Sequence, residues 1–177
     1  WGNSHNNVFI VGEWGTIVHY NGSEWVKMNS GTTRSINAIW GSSPNDIFAV
    51  GDDGLILYYD GISWSIISGG KEQTMLHSVW GSSITDVFTV GEYGTILNYN
   101  GFSWSQMDSG TTNSLHGIWG SSPTSVFAVG SNGIIVHYDG NSWNRMESWI
   151  TTPLDAIWAS STNNYAFAVG NGGIILR

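Results

Sequence analysis

The chain has 177 residues, of which 41% are hydrophobic, and this is enough for an ordinary domain with a buried core. Thirteen Asp and Glu residues against five Lys and Arg give a net charge of -8, which opposes binding to the phosphate backbone of nucleic acid. There is no Cys, which excludes disulfides and thiolate chemistry, and the apolar runs are far too short to span a membrane.

One motif recurs along the whole chain and begins each time at a tryptophan. These tryptophans are spaced by 39 or 40 residues, and each opens a stretch of the form W-[GA]-x-S. A fixed period of this length indicates a structural unit that stacks on copies of itself. Residues 1–177 hold four full copies and a partial fifth, which we interpret as a single β-propeller domain or a segment of one. The repeats begin near Trp1, Trp40, Trp80, Trp119 and Trp158.

Each copy divides into four short β-prone segments, as the second copy illustrates. Paired glycines separate the second segment from the third, and an Asn-Gly or Asp-Gly turn separates the third from the fourth, so consecutive segments form antiparallel hairpins. Segments that are apolar on both faces indicate a sheet covered on both sides. The sequence therefore predicts an all-β fold, a β-propeller of four-stranded antiparallel blades. In the second copy the segments are Ile36–Trp40, Ile47–Val50, Leu55–Tyr59 and Ser63–Ile67.

The repeat resembles the bacterial neuraminidase-repeat and photosystem II assembly factor-like group of propellers over the whole chain. The resemblance rests on an A-V-G-x-x-G core at Phe127–Gly133 and a shortened Asp-box at Asp139–Trp143. It implies the propeller fold but little about activity, because propellers host unrelated functions. Sialidases of this group use an arginine cluster, whereas Arg34, Arg145 and Arg177 occupy three different repeat positions. The assembly factors' arginine-rich face is likewise not expected on this acidic chain.

Two sets of aromatic residues are candidate ligand contacts. One tryptophan opens the fourth segment of every complete copy, where it either packs over its hairpin or offers a plate for a sugar ring. The second set, Trp14, Tyr93 and Trp149, falls in loops without an aromatic equivalent in every copy, which predicts an exposed contact surface. The repeated tryptophans are Trp25, Trp64, Trp104 and Trp143.

No pattern in the sequence indicates a catalytic, metal or cofactor site. The repeat places His19 and His137 on distant blades, and it places His77 and His116 where a satisfied structural histidine is expected. Acidic residues between the paired glycines, such as Asp52, suit a turn better than a calcium site. No Ser, His and Asp set falls on one cluster of loops. We therefore predict a protein without enzyme activity, metal or cofactor.

These observations lead to two functional hypotheses. The first is a binding or scaffolding propeller that mediates protein interaction in an extracellular, periplasmic or cell-surface setting, since the chain lacks Cys and its loops are rich in Asn, Ser and Thr. The second is a lectin-like propeller that binds a glycan through repeated weak sites. Because the first copy has almost no first segment and the fifth ends inside its third, we expect head-to-tail self-association or continuation of the parent chain.

Overall fold

Nineteen short strands form five antiparallel sheets in the computed structural model, which describes residues 1–67, 69–70, 72–160 and 165–177. Four sheets have four strands and the fifth has three, and within each sheet the strands follow one another in chain order. We call the sheets blades 1 to 5. No helix among the described residues has the length and apolar character needed to cross a bilayer. The predicted all-β fold with four-stranded antiparallel blades is confirmed.

The blades have nearly the same strand lengths. Blade 1 consists of β1 (Gly2–Ser4), β2 (Asn7–Gly12), β3 (Thr16–Tyr20) and β4 (Trp25–Met28). Blade 2 consists of β5 (Ile36–Ser43), β6 (Asp46–Gly51), β7 (Ile56–Tyr59) and β8 (Trp64–Ile66). Blade 3 consists of β9 (Leu76–Ser83), β10 (Asp86–Gly91), β11 (Ile96–Tyr99) and β12 (Trp104–Met107). Blade 4 consists of β13 (Leu115–Ser122), β14 (Ser125–Gly130), β15 (Ile135–Tyr138) and β16 (Trp143–Met146), and blade 5 of β17 (Leu154–Ala159), β18 (Ala166–Gly170) and β19 (Ile174–Leu176).

The first strand of each inner blade is longer than the sequence predicts. The predicted segment ends at Trp40, whereas β5 continues to Ser43 because Gly41 pairs with Ile47 and Ser43 with Asp46. Small residues after the tryptophan therefore remain part of the sheet up to the hairpin turn. The other segments of blade 2 match the predicted ones to within one residue.

The blades stack in chain order, and in each of blades 1 to 3 one phenylalanine makes the central contact with the next blade. The ring centroid of Phe48 in β6 lies 5.5 Å from that of Trp104 in the next blade, edge to face at 89°, and 5.2 Å from Tyr99. Aromatic pairs of this kind contribute about 0.5–1.5 kcal/mol beyond their burial. The same edge-to-face contact joins Phe9 to Trp64 and Phe88 to Trp143.

A glycine in the first strand allows a second aromatic contact between blades. The indole of Trp80 covers Gly120 so closely that a Cβ at this glycine would overlap the ring. Blade 5 has Ala159 at the equivalent position, and there the covering residue is Trp119. This indole is partly exposed, and its Nε1 donates a hydrogen bond to the Ala159 carbonyl oxygen at 3.1 Å. Where Ala159 replaces the glycine, the tryptophan therefore makes a hydrogen bond to the backbone between blades 4 and 5.

The outer faces of the two end blades are open. Ile10 in β2 and Val169 in β18 are exposed, whereas Ala49 and Val50, which hold the same positions in blade 2, are fully buried. Among the described residues, extensive packing joins consecutive blades only. Self-association or a continuing chain that covers these faces stays a prediction.

Truncating Phe88 to Ala should lower the free energy of unfolding by about 3–5 kcal/mol, because the ring is buried between blades 3 and 4. Phe127 holds the same position in blade 4 and is only partly buried, since the three strands of blade 5 bring no fourth-strand tryptophan against it. Phe127→Ala is therefore the matched control and should lose less. Urea denaturation measures both, and equal losses would show that the covering tryptophan contributes nothing.

Candidate functional site

The turns between strands lie at two ends of the blades, and the two ends differ in chemistry. Because neighbouring strands run in opposite directions, the turn between the second and third strands shares an end with the connection to the next blade. The Gly54 amide donates to the Thr74 carbonyl oxygen at 2.7 Å, and the Ser131 amide donates to that of Ser114 at 2.9 Å. We call this end the connection face. Its turns are residues 13–15, 52–54, 92–94, 131–133 and 171–173, and the described parts of its connections are residues 29–35, 69–70, 72–75, 108–114 and 147–153.

Three large aromatic side chains project from the connection face. Trp14, Tyr93 and Trp149 are 80%, 71% and 89% exposed. Their φ angles are 57°, 56° and 59°, a left-handed conformation that costs a bulky residue about 1–3 kcal/mol. All three residues of the predicted contact surface therefore lie on one face, and none of them packs in the core. Other blades hold smaller residues at the same positions: Asp53, Asn132, Gly172, Gly31 and Gly110.

The repeated tryptophans of the fourth strand lie elsewhere. Trp64 and Trp143 are buried and Trp104 is partly buried, each against the phenylalanine of the preceding blade. Among the described residues their indole Nε1 atoms have no hydrogen-bond partner. Trp25 in blade 1 is half exposed. For the three inner tryptophans this placement favours packing over sugar stacking, because a covered ring cannot meet a ligand.

A polar residue at a β-bulge marks the first strand of blades 2 to 5. A bulge turns the extra side chain in a new direction, and in blades 2 and 4 this direction is towards the next blade. The Asn37 Nδ2 donates to the Leu76 carbonyl oxygen at 3.0 Å, and the His116 Nδ1 lies 3.1 Å from the Leu154 carbonyl oxygen. This row was not predicted from the sequence, although the residue after the buried Leu or Ile is polar in all four of these blades. The bulge residues are Asn37, His77, His116 and Asp155.

Two histidines of this row face each other across blades 3 and 4. The ring centroids of His77 and His116 are 5.8 Å apart and nearly perpendicular. Burial and then the neighbouring His116 lower the pKa of His77, while the carboxylates of Glu92 and Asp52 oppose this change. The His116 Nδ1 also lies 3.7 Å from the carboxylate of Asp155 in blade 5. The row therefore joins neighbouring blades close to the connection face.

The histidines of the third strands have partners within their own blades. His137 stacks on Phe127 with 4.3 Å between ring centroids, and its Nε2 lies 3.1 Å from the Ser125 Oγ. His19 stacks in the same way on Phe9. Burial lowers the pKa of both histidines. In the part of the chain that the structure describes, no three His, Asp or Glu residues form a group that could hold a metal ion.

A groove of about 380 Å³ lies beside Trp14 on the connection face. Glu13, Asp52 and Asp53 line it, so carboxylates from the turns of blades 1 and 2 surround an exposed indole. Arg34 also lines this groove, and its Nη1 donates to the backbone oxygen of Asp53 at 3.4 Å. The groove thus combines a flat aromatic surface with three negative charges and one positive charge.

Negative charge is concentrated on the connection face as a whole. A second groove, of about 450 Å³, combines Tyr93 with Asp108. Among the described residues of the turns and connections of this face Arg34 is the one Lys or Arg, and Lys71 lies outside the described residues. Eight of the thirteen acidic residues lie in its turns, connections and bulges: Glu13, Asp52, Asp53, Glu72, Glu92, Asp108, Glu147 and Asp155.

The opposite face is built on short turns that the shortened Asp-box forms. The Asp139 carboxylate accepts hydrogen bonds from the amides of Ser142 and Asn141, both at 2.9 Å, and these bonds lower its pKa. Phe102 holds the Asn141 position in blade 3 and is 94% exposed. The Asp-box is therefore a structural turn, and Phe102 is a ring on the far side of the molecule from Trp14.

Comparisons with known proteins identify the fold. No family model matches the sequence, and no curated protein matches it. YCF48 from Cyanidioschyzon merolae superposes with a TM-score of 0.71 and 14% identity over 96% of this chain and 65% of that chain. YCF48 bound to a D1 peptide superposes with a TM-score of 0.69 and 16% identity over 97% of this chain and 59% of that chain. The RRP9 WD40 repeats superpose with a TM-score of 0.80 and 8% identity over 98% of this chain and 58% of that chain. The chain thus spans 58–65% of the length of these propellers, and at such identities the likeness shows the propeller fold alone. This agrees with the resemblance to the assembly-factor group.

His77→Asn, which introduces the bulge residue of blade 2, should reduce the loss of stability in acid. Because burial lowers the pKa of His77 below its usual 6.5, the unfolded chain binds this proton more readily than the folded one. The stabilising contribution of neutral His77 to the free energy of unfolding is fully present above pH 6.5 and is lost as the pH falls below that value. Urea unfolding at about pH 7.5 and about pH 5 should show that the free energy of unfolding falls more between these two pH values in the wild type than in the variant. The same loss in both proteins would contradict the assignment.

Trp14→Asn should raise the free energy of unfolding by about 1 kcal/mol, because Asn tolerates the left-handed conformation better than Trp. Blade 4 already has Asn132 at this position with a φ of 57°. Phe102→Asn is the matched control: it removes an equally exposed ring that lies outside the residues with positive φ, and its stability should stay the same. Thermal unfolding measures both variants. A clear loss of stability in Trp14→Asn would mean that the indole supports the fold.

Proposed function

We propose that this chain is a non-catalytic protein-interaction scaffold that binds a polypeptide partner at its connection face. The observation that carries this proposal is the placement of Trp14, Tyr93 and Trp149, which share one face, are exposed, and are held in a strained conformation. Exposed Trp and Tyr residues are typical anchors of protein interfaces. The likeness to YCF48 bound to a D1 peptide supports a peptide-binding role for a propeller of this shape.

The stacking of the blades suits a scaffold. Phe9, Phe48 and Phe88 fix blades 1 to 3 each against the next blade. The bulge residues add hydrogen bonds between blades close to the connection face. Turns held in this way present their side chains in fixed positions. Binding at these turns costs less conformational entropy than binding at a mobile loop, because the turns are already ordered before the partner arrives.

We propose no enzyme activity, because the two histidines near the connection face already serve blade contacts. His116 contacts the Leu154 carbonyl oxygen, the Ser131 Oγ and the Asp155 carboxylate, and these partners leave its ring nitrogens engaged within the fold. A general base must be free to reach a proton on a substrate. The contacts of the histidine row support a structural role instead.

We place the protein in an extracellular, periplasmic or cell-surface setting, where the absence of Cys and the Asn, Ser and Thr-rich loops suit exposure to an oxidising medium. Fractionation of source cells tests this placement. Removal of the chain by protease on intact cells, or its release by osmotic shock, would support the proposal. Recovery only after the cytoplasm is lysed would contradict it.

Selection of peptides from a random phage library on the immobilised chain tests the proposed function. Enriched peptides should bind the wild type and should lose at least about tenfold in affinity on the variant Trp14→Asn, Tyr93→Asn, Trp149→Gly, because these rings are the anchors. Each substitution introduces a residue that another blade has at the same position. Phe102→Asn on the opposite face is the control and should bind as the wild type does.

Two outcomes would contradict the proposed function. Peptides that bind the triple variant as tightly as the wild type would show that the three rings take no part. The other outcome combines the library with a glycan array. If no peptide is selected, and the wild type binds a glycan that the triple variant does not bind, the lectin-like alternative would be favoured.

A further inference from the structure

Both grooves on the connection face pair an aromatic ring with carboxylates. In the first, Trp14 lies with Glu13 and Asp53, and in the second Tyr93 lies with Asp108. The face of an indole or phenol ring attracts a cation, and a guanidinium group also stacks flat on such a ring. A neighbouring carboxylate then accepts the N–H hydrogen bonds of the same group. Each groove therefore has the two chemical features that an arginine side chain needs.

The negative charge of the grooves is only partly compensated. Among the described residues none of Glu13, Asp53 and Asp108 forms an ion pair with Lys or Arg. Arg34 lines the first groove, but its hydrogen bond goes to the backbone oxygen of Asp53 and leaves the carboxylate free. The excess of acidic residues over the whole face adds to the negative potential there, which attracts a positively charged partner and repels an acidic one.

We propose that the connection face binds an extended, cationic polypeptide segment whose arginine side chains enter the two grooves. This proposal rests on the proposed function and names the chemistry of its partner. A neutral sugar would stack on Trp14 or Tyr93 but would gain nothing from the surplus of negative charge. An acidic peptide would be repelled. The charge of the face therefore selects the arginine-bearing segment over both.

Fluorescein-labelled peptides of equal length provide the test: four Gly-Ser-Arg repeats, four Gly-Ser-Gln repeats and four Gly-Ser-Glu repeats. Fluorescence anisotropy should show that the Arg peptide binds and weakens as salt rises, because salt screens exposed charges beyond about 10 Å at 0.1 M. The Gln and Glu peptides should bind at least about tenfold more weakly. Cellohexaose, a neutral glycan, should not compete with the Arg peptide.

Variants of the grooves locate the binding. Trp14→Asn with Tyr93→Asn should weaken the Arg peptide at least about fivefold, since each ring contributes a cation–π contact. Glu13→Gln with Asp53→Asn should weaken it similarly and flatten the salt dependence. Phe102→Asn is the control on the opposite face and should leave the affinity unchanged.

Several results would overturn the proposal. Equal binding of the Arg and Gln peptides would remove the role of charge, and equal binding of the wild type and the groove variants would move the site elsewhere. Failure of the Arg peptide to bind at about 1 mM, a concentration that detects an interaction of about -4 kcal/mol, would overturn the cationic partner alone. Competition by cellohexaose would point to a glycan. Peptides from the library that bind without arginine would keep the proposed function while rejecting this inference.

Discussion

The edge-to-face contact between a phenylalanine of one blade and a tryptophan of the next is the interaction on which this structure depends. Each inner blade supplies both kinds of partner. In blade 2, Phe48 contacts Trp104 of blade 3. Tyr59 and Trp64 of the same blade contact Phe9 of blade 1. A single blade cannot cover both of its faces, so a copy is stable only between other copies. The strict period of the sequence follows from this requirement.

Because the core lies between the blade faces, the turns at the ends of the strands are free to vary in chemistry while their backbone stays the same. Asp53, Tyr93 and Asn132 have nearly equal φ angles of 53°, 56° and 57° in three successive blades. The fold therefore holds a fixed set of positions at which side chains change without a change in the scaffold. Binding residues are expected on such loops, where a rigid framework positions them.

The repeat predicts the blades, their strand order and the loop positions of Trp14, Tyr93 and Trp149, because period, turn glycines and local apolar runs are properties of the sequence itself. The bulges at Asn37 and His116 could not be predicted, since a bulge depends on the pairing register of two strands. The sequence also left the role of the fourth-strand tryptophans open between packing and ligand binding. Only the stacking of neighbouring blades shows that most of these rings are covered.

¹⁹F NMR of the chain labelled with 5-fluorotryptophan shows whether a rigid stack of blades presents an aromatic, acidic face to its partner. The eleven tryptophans report on both the face and the blade interfaces. On addition of the peptide of Gly-Ser-Arg repeats, the resonance of Trp14 should shift, while those of the buried Trp64 and Trp143 stay in place. Shifts at Trp64 and Trp143 with no change at Trp14 would contradict the account, because the ligand would then enter between the blades.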